Sequence, residues 1–135
     1  MKKNIFIISI FSILFSGCDK LDELLKDDER TVGYNVIFKE TAQNFEYLTT
    51  ITFTGEDGYN QFDEHQSAFS RWSEGGDFSK GERVSLAIST SLDRGTITLT
   101  IICKDCKNED LIDGKIIKTI DLTRIKVGEL SLNLE

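Results

Sequence analysis

The residues of this chain that could perform chemistry are few, chiefly three cysteines and one histidine. Two of the cysteines form Cys103-Lys104-Asp105-Cys106, a spacing compatible with a structural disulfide, two free thiols, a redox pair or part of a metal site. A redox pair needs its first thiol at a helix N-terminus, whereas Cys103 follows a strand pattern. A zinc site needs about four ligands, and His65 is the only histidine. We therefore favour a structural disulfide, with the other roles as alternatives.

His65 is the one residue that suggests a general base. It lies in a polar stretch, residues 63–66, and would need a positioned nucleophile such as Ser67 or Ser70. No G-x-S-x-G turn is present, and the acids of residues 56–64 do not follow the calcium-binding EF-hand pattern. The sequence thus predicts no catalytic residue, no cofactor and no metal, and it favours a protein that is not an enzyme.

Four aromatic residues occur close together in polar surroundings: Tyr59, Phe62, Phe69 and Trp72. They could form an exposed platform for a glycan or a protein partner, since aromatic side chains often anchor interfaces. Burial of most of them is favoured, with Phe69 and Trp72 filling the core from a loop or an edge strand. Trp72, Phe69 and Tyr59 are retained as possible binding residues.

The beginning of the chain has the three parts of an export signal. Lys2 and Lys3 precede an apolar run from Ile5 to Phe15, and Ser16-Gly17 separates this run from Cys18. A run of about 11 residues is too short to span a hydrocarbon core of about 30 Å, but it fits a signal peptide. The alternative is a buried helix with a chance cysteine.

The stretch ending in Ser16-Gly17-Cys18 resembles a bacterial lipoprotein signal with its lipobox, although Phe15 stands where Leu is usual. This resemblance implies cleavage before Cys18 and attachment of lipid, including palmitate, to its thiol. Two or three acyl chains would anchor the protein stably to a membrane. With Cys18 used in this way, the remaining two cysteines form an even pair in an oxidising compartment.

Residues 18–32 are an acidic stretch that we interpret as a tether holding the following domain away from the membrane. Asp19, Asp22 and Glu23 resemble the export signals of surface lipoproteins in Bacteroidetes-type bacteria. In enterobacteria, an Asp beside the lipidated Cys18 implies retention in the inner membrane instead. Of the two membranes, we favour the outer membrane as the location of the lipid anchor.

From residue 33 onwards the chain has the alternating pattern of β-strands. Val84, Leu86 and Ile88 alternate with smaller or polar residues, and Leu92-Asp93-Arg94-Gly95 has turn composition. The stretch from Thr96 to Cys103 alternates in the same way. This combination predicts a β-hairpin of these two strands.

Glycines indicate where other strands end. Gly55-Glu56-Asp57-Gly58 predicts the turn of a hairpin, and Asp113-Gly114 predicts a second tight turn. Gly75-Gly76-Asp77 is predicted to interrupt regular structure. The stretch from Leu130 to Leu134 alternates throughout and is predicted to form an edge strand.

About seven short strands without a helix predict an all-β fold, an antiparallel β-sandwich. The order of several motifs resembles the extracytoplasmic β-sandwich of mycobacterial MmpS-type proteins and the small lipoproteins similar to it in Bacteroidetes. The motifs are Tyr34-x-Val36, Ile51-Thr52-Phe53, Trp72, Phe78-x-Lys80-Gly81-x-x-Val84-x-Leu86, Ile97-Thr98-Leu99-Thr100-Ile101, Asp113-Gly114-Lys115 and Ile117-Lys118-Thr119. The resemblance implies an immunoglobulin-like fold and an accessory role beside a transporter, without catalytic residues.

The net charge of −7 would become more negative on loss of Lys2 and Lys3. Such a charge argues against nucleic acid as a partner and against adsorption to anionic lipids. The sequence predicts a signal peptide (1–17), a lipid-anchored tether (18–32) and a β-sandwich domain (33–135). We expect a non-catalytic binding or accessory module at the cell envelope, with an envelope protein as partner. A lipoprotein that binds a small molecule or glycan through an aromatic surface is the alternative, and an envelope enzyme is less favoured.

Overall fold

The computed structural model describes residues 28–39, 48–65 and 70–135. The predicted signal peptide, the lipidation site Cys18 and the possible binding residue Phe69 lie outside the described residues. The described chain forms eight β-strands and no α-helix: β1 (Glu29–Lys39), β2 (Thr49–Thr54), β3 (Asn60–His65), β4 (Arg71–Ser79), β5 (Arg83–Thr90), β6 (Thr96–Ile102), β7 (Lys115–Asp121) and β8 (Val127–Asn133). Within these ranges no helix has the length and apolar character that a membrane span requires.

The strands form two four-stranded antiparallel sheets, in the orders β4-β1-β6-β7 and β3-β2-β5-β8. The predicted all-β sandwich is therefore confirmed, with one strand more than the approximate count of seven. The immunoglobulin-like connectivity is not confirmed. In an immunoglobulin domain the first strand pairs with the second, whereas β1 pairs with β4 and β6.

The predicted hairpin between β5 and β6 is wrong in its pairing, although both strands form. Strand β5 pairs with β2 and β8, whereas β6 pairs with β1 and β7 in the other sheet. Residues 91–95 carry the chain from one sheet to the other, and Leu92 is buried in the core. An extended five-residue connection can cover the spacing of about 10 Å between packed sheets. Alternation thus identifies the buried face of each strand but not its partner.

The other two predicted turns are confirmed. Strands β2 and β3 form a hairpin in which Gly58 has a φ of 81°. The Gly55 N–H donates to the Tyr59 carbonyl at 2.9 Å. Asp113 and Gly114, with φ of 53° and 73°, form the two-residue turn before β7. Positive φ at both central residues is the geometry of a type I′ turn, for which Asp-Gly is a favoured sequence.

The predicted interruption at Gly75-Gly76 is wrong, because β4 continues through it and pairs with β1 from Glu29 to Ile37. A Cβ on Gly75 would lie 2.9 Å from the Val32 carbonyl oxygen. Glycine therefore permits a close approach of two backbones inside a strand, which is one of its roles in sheets.

Strand β1 begins at Glu29, four residues before Gly33, where the sequence predicts the domain to start. Val32 is buried, and Arg30 is only 9% exposed. The Arg30 Nε donates to the Glu135 carbonyl at 3.4 Å. The last residues of the predicted acidic tether thus belong to the sheet, where they contact the end of the chain.

The core lies between the two sheets and consists mainly of alternate residues from β1, β5, β6 and β8. Strand β8 is an edge strand, as predicted, and donors from elsewhere in the chain bind three carbonyls near its free edge. Lys118 Nζ donates to Glu129 O at 3.2 Å, and Asn108 Nδ2 donates to Asn133 O at 3.0 Å. The Lys107 N–H donates to the carbonyl of Glu135 at 3.0 Å.

Candidate functional site

The two cysteines of the Cys-x-x-Cys stretch lie together at the end of β6. Cys103 and Cys106 are joined as a disulfide, with their Cα atoms 5.4 Å apart, which is within the usual range. Cys103 is fully buried, and its N–H donates to the Gly114 carbonyl at 2.8 Å. Asp105 places a carboxylate oxygen within 4.8 Å of both sulfur atoms, so three possible metal ligands meet here, fewer than a zinc site uses. The geometry supports the structural disulfide.

His65 points to the same side of edge strand β3 as Asp63, two residues earlier. The Asp63 Oδ2 lies 3.1 Å from the His65 Nε2 and accepts a hydrogen bond from the Trp72 Nε1 at 2.7 Å. Ser67, one of the two nucleophiles considered for His65, lies outside the described residues. Because Asp63 is on β3 and Trp72 on β4, this arrangement connects the edges of the two sheets.

Trp72 belongs to an aromatic cluster inside the sandwich. It is 7% exposed, and its ring centroid lies 5.1 Å from that of Phe53. Phe53 in turn lies 5.7 Å from Tyr34. The Tyr34 hydroxyl donates to the Thr54 carbonyl at 2.8 Å, and burial raises the pKa of Tyr34 well above its usual value. Trp72 therefore fills the core from an edge strand, as the sequence predicts, and does not form a surface.

Two aromatic residues of the predicted group are on the surface. Tyr59 is 75% exposed and Phe62 is 71% exposed, both on the β2–β3 hairpin. Phe62 and Asp63 point to opposite faces of β3, and Asp63 faces Trp72 of the other sheet, so Phe62 points outward. Alternation alone would place the apolar Phe62 inward and Asp63 outward, so no sequence pattern indicated this exposure.

The β2–β3 hairpin and β4 form an open groove of about 410 Å³, which neither Tyr59 nor Phe62 lines. Its lining includes two phenylalanines, one glutamine and three carboxylates: Phe53, Phe78, Gln61, Glu56, Asp57 and Glu74. Sequence reasoning did not find this groove, because its two sides are distant in sequence and meet only in the folded sandwich.

Polar contacts fix the side of the groove formed by the hairpin. Glu56 accepts a hydrogen bond through Oε1 from the Asp77 N–H at 2.9 Å. Its Cγ would lie 2.6 Å from a Cβ on Gly76, so the glycine leaves room for the Glu56 side chain. Asp57 accepts a hydrogen bond through Oδ1 from the Tyr59 N–H at 3.0 Å. The hairpin is thereby held against β4.

The groove lies in the most acidic region of the described domain. Residues 48–65 and 70–79 contain one arginine, Arg71, and six carboxylates: Glu56, Asp57, Asp63, Glu64, Glu74 and Asp77. The Arg71 guanidinium contacts Asn35 Oδ1 at 3.5 Å. Negative potential from clustered carboxylates attracts positively charged groups and raises their rate of association.

Comparison of the chain with known protein families and with curated proteins gives no match in either case. The resemblance to MmpS-type proteins and Bacteroidetes lipoproteins therefore depends on the sequence motifs alone. Function is argued below from those motifs and from the geometry of the groove.

Proposed function

We propose that this protein is a bacterial lipoprotein, anchored to a membrane through lipid on Cys18, whose β-sandwich is a non-catalytic binding module of the cell envelope. The lipobox-like Ser16-Gly17-Cys18 supports the anchor. The pairing of Cys103 with Cys106 is consistent with it, because Cys18 is then left for lipidation. The acids after Cys18 favour the outer membrane.

The groove between the β2–β3 hairpin and β4 is the observation that carries the binding role. It is concave, its volume lies in the range of ligand sites, and the hydrogen bonds that Glu56 and Asp57 accept from backbone N–H groups hold one side in place. The MmpS resemblance favours an envelope protein as the partner, and the accessory role beside a transporter follows from it.

A second candidate is a lipoprotein that binds a glycan or another small molecule. The specific observation in its favour is the exposure of Tyr59 and Phe62, which present aromatic rings to solvent on one hairpin. Aromatic rings provide an apolar surface on which a flat ligand can stack.

The anchor is tested by substituting Cys18→Ser in the full chain and fractionating cells. We expect the wild type in the membrane fraction, with acyl chains on Cys18 detected by mass spectrometry, and the variant in the soluble fraction. The matched control is the double variant Cys103→Ala with Cys106→Ala, which should remain in the membrane. A Cys18→Ser protein that still sediments with membranes would contradict the lipid anchor.

The binding role is tested by chemical cross-linking in intact cells, followed by purification of the full chain. A charge reversal in the groove, Glu74→Arg, should remove the cross-linked envelope protein, whereas Asp93→Arg on the β5–β6 connection should not. For the second candidate, the double variant Tyr59→Ala with Phe62→Ala should abolish retention on immobilised glycans. A cross-linked species that is unchanged by Glu74→Arg would argue against the groove as the binding site.

A further inference from the structure

We infer that the groove binds the guanidinium group of an arginine in a basic segment of a protein partner. This inference depends on the proposed function, because it specifies the ligand of the same groove. It follows from the charges that line the groove, from the aromatic rings beside them and from the spacing of the carboxylates.

The charge of the lining is negative. Glu56, Asp57 and Glu74 contribute carboxylates, and none of the lining residues among the described part of the chain is a lysine or an arginine. Glu56 and Asp57 each use one oxygen to accept a backbone N–H, and Glu74 is exposed. A cationic ligand would therefore complement the groove, whereas an anionic ligand would be repelled.

The spacing of these carboxylates favours an organic cation over a metal ion. Within the described residues, the one group of three metal-ligating side chains whose ligand atoms lie within 4.8 Å of one another is Cys103, Asp105 and Cys106. The ligand atoms of the three groove carboxylates thus do not all lie within 4.8 Å of one another. Several separated carboxylates suit a planar cation with donors pointing in different directions.

The aromatic lining favours arginine over lysine. Phe53 and Phe78 both line the groove, but Phe78 is 3% exposed, so the partly exposed Phe53 is the ring that a ligand can reach. A guanidinium group stacks on aromatic faces while its five N–H donors bind carboxylates, whereas an ammonium group is a compact, strongly hydrated charge. A volume of about 410 Å³ accommodates an arginine side chain together with part of its backbone.

The test is a titration of the isotope-labelled full chain, purified in detergent, with the peptide acetyl-Gly-Arg-Gly-amide, followed by amide NMR spectra at low ionic strength. We expect resonance shifts at Gly55, Glu74 and Gly75, which line the groove, and weaker binding when salt is added. The matched control is the same peptide with citrulline, which has the shape of arginine without its charge. Citrulline should not shift these resonances.

Two charge-neutralising variants give the expected size of the effect. Glu74→Gln and Glu56→Gln should each weaken arginine binding about two- to fivefold, the range for an exposed ion pair. In Glu56→Gln the amide oxygen can still accept the Asp77 N–H, so the hairpin keeps its position. Asp93→Asn removes an exposed carboxylate beyond the far end of β5 and should leave the affinity unchanged.

Equal shifts with citrulline, equal weakening by Asp93→Asn, or no shift at Gly55, Glu74 and Gly75 would each overturn the inference. Its failure is distinguishable from that of the proposed function. A cross-linked partner that is lost on Glu74→Arg, together with no response to the arginine peptide, would leave the binding module but reject arginine as its ligand. A Cys18→Ser protein that stays on membranes would reject the anchor without affecting the titration.

Discussion

Removing the carboxylate of Asp63 should destabilise the domain, because this carboxylate accepts the indole N–H of Trp72 at 2.7 Å. In Asp63→Ala, the indole N–H of Trp72 loses its acceptor, although Trp72 is only 7% exposed. A buried donor without an acceptor costs about 1–3 kcal/mol. Since the Asp63 side chain is 44% exposed and water can partly replace it, we expect a loss of about 1–2 kcal/mol in the free energy of unfolding.

This loss of stability is measurable by urea denaturation of the full chain, monitored through the fluorescence of Trp72, the only tryptophan. With a denaturant slope of about 2 kcal/mol/M, the middle of the usual range for urea, the midpoint should fall by roughly 0.5–1 M. Glu64→Ala is the matched control, because the neighbouring Glu64 side chain is exposed and its loss should change stability by less than about 0.5 kcal/mol. Asp63→Asn, which keeps an acceptor oxygen, should lose less than Asp63→Ala. Equal midpoints for Asp63→Ala and Glu64→Ala would refute the assigned role of the hydrogen bond.

Three further predictions concern the core and the disulfide. Tyr34→Phe should cost about 1 kcal/mol at pH 7 in urea denaturation. Because burial raises the pKa of Tyr34, the neutral hydroxyl contributes to stability below about pH 10, and this contribution is lost as the pH rises further. Between pH 8 and 11 the variant should therefore lose less stability than the wild type. Equal losses in the two proteins would contradict this role of Tyr34. Gly128→Ala should cost about 1–3 kcal/mol in the free energy of unfolding, because the new Cβ would overlap Ile120 Cδ1. Ile120→Val removes that atom and should relieve part of the cost in the double variant. Strictly additive losses would show that the two sites are independent. Reduction of the disulfide should lower the stability of the wild type by about 1–2 kcal/mol. The double variant Cys103→Ala with Cys106→Ala should not respond to reductant. A wild type whose stability is also unchanged by reductant would indicate free thiols.

The buried faces of the strands could be predicted from the sequence, because alternation is a local property of the chain. Val84, Leu86 and Ile88 are buried as their spacing indicates. The partner of each strand could not be predicted in this way. The connection after β5 has the composition of a hairpin turn, but burial of Leu92 accompanies a crossing between the sheets, and no local pattern distinguishes the two outcomes.

The candidate site was predicted less well than the fold, because it depends on contacts between distant residues. Trp72 and Phe62 both occur in polar surroundings, yet one is buried against Phe53 and the other is exposed. Glu56 meets β4 only because the glycines of that strand leave room for it. Two glycines in succession predict a break in regular structure when their partner strand is unknown, and so β4 and the groove beside it were missed.

The groove lies near one end of the sandwich, and this position limits which partners it could meet. Gly75 of the groove pairs with Gly33, and β4 ends opposite Glu29, so the groove lies near the end of the sandwich where the chain enters β1. The ten residues between Cys18 and Glu29 can span at most about 40 Å. A domain attached through Cys18 would therefore sample only a thin layer above the bilayer, where a tethered site meets its neighbours at high effective concentration. Its partners would be selected first by height above the membrane, and a segment presented beyond that layer would not be bound, whatever its affinity.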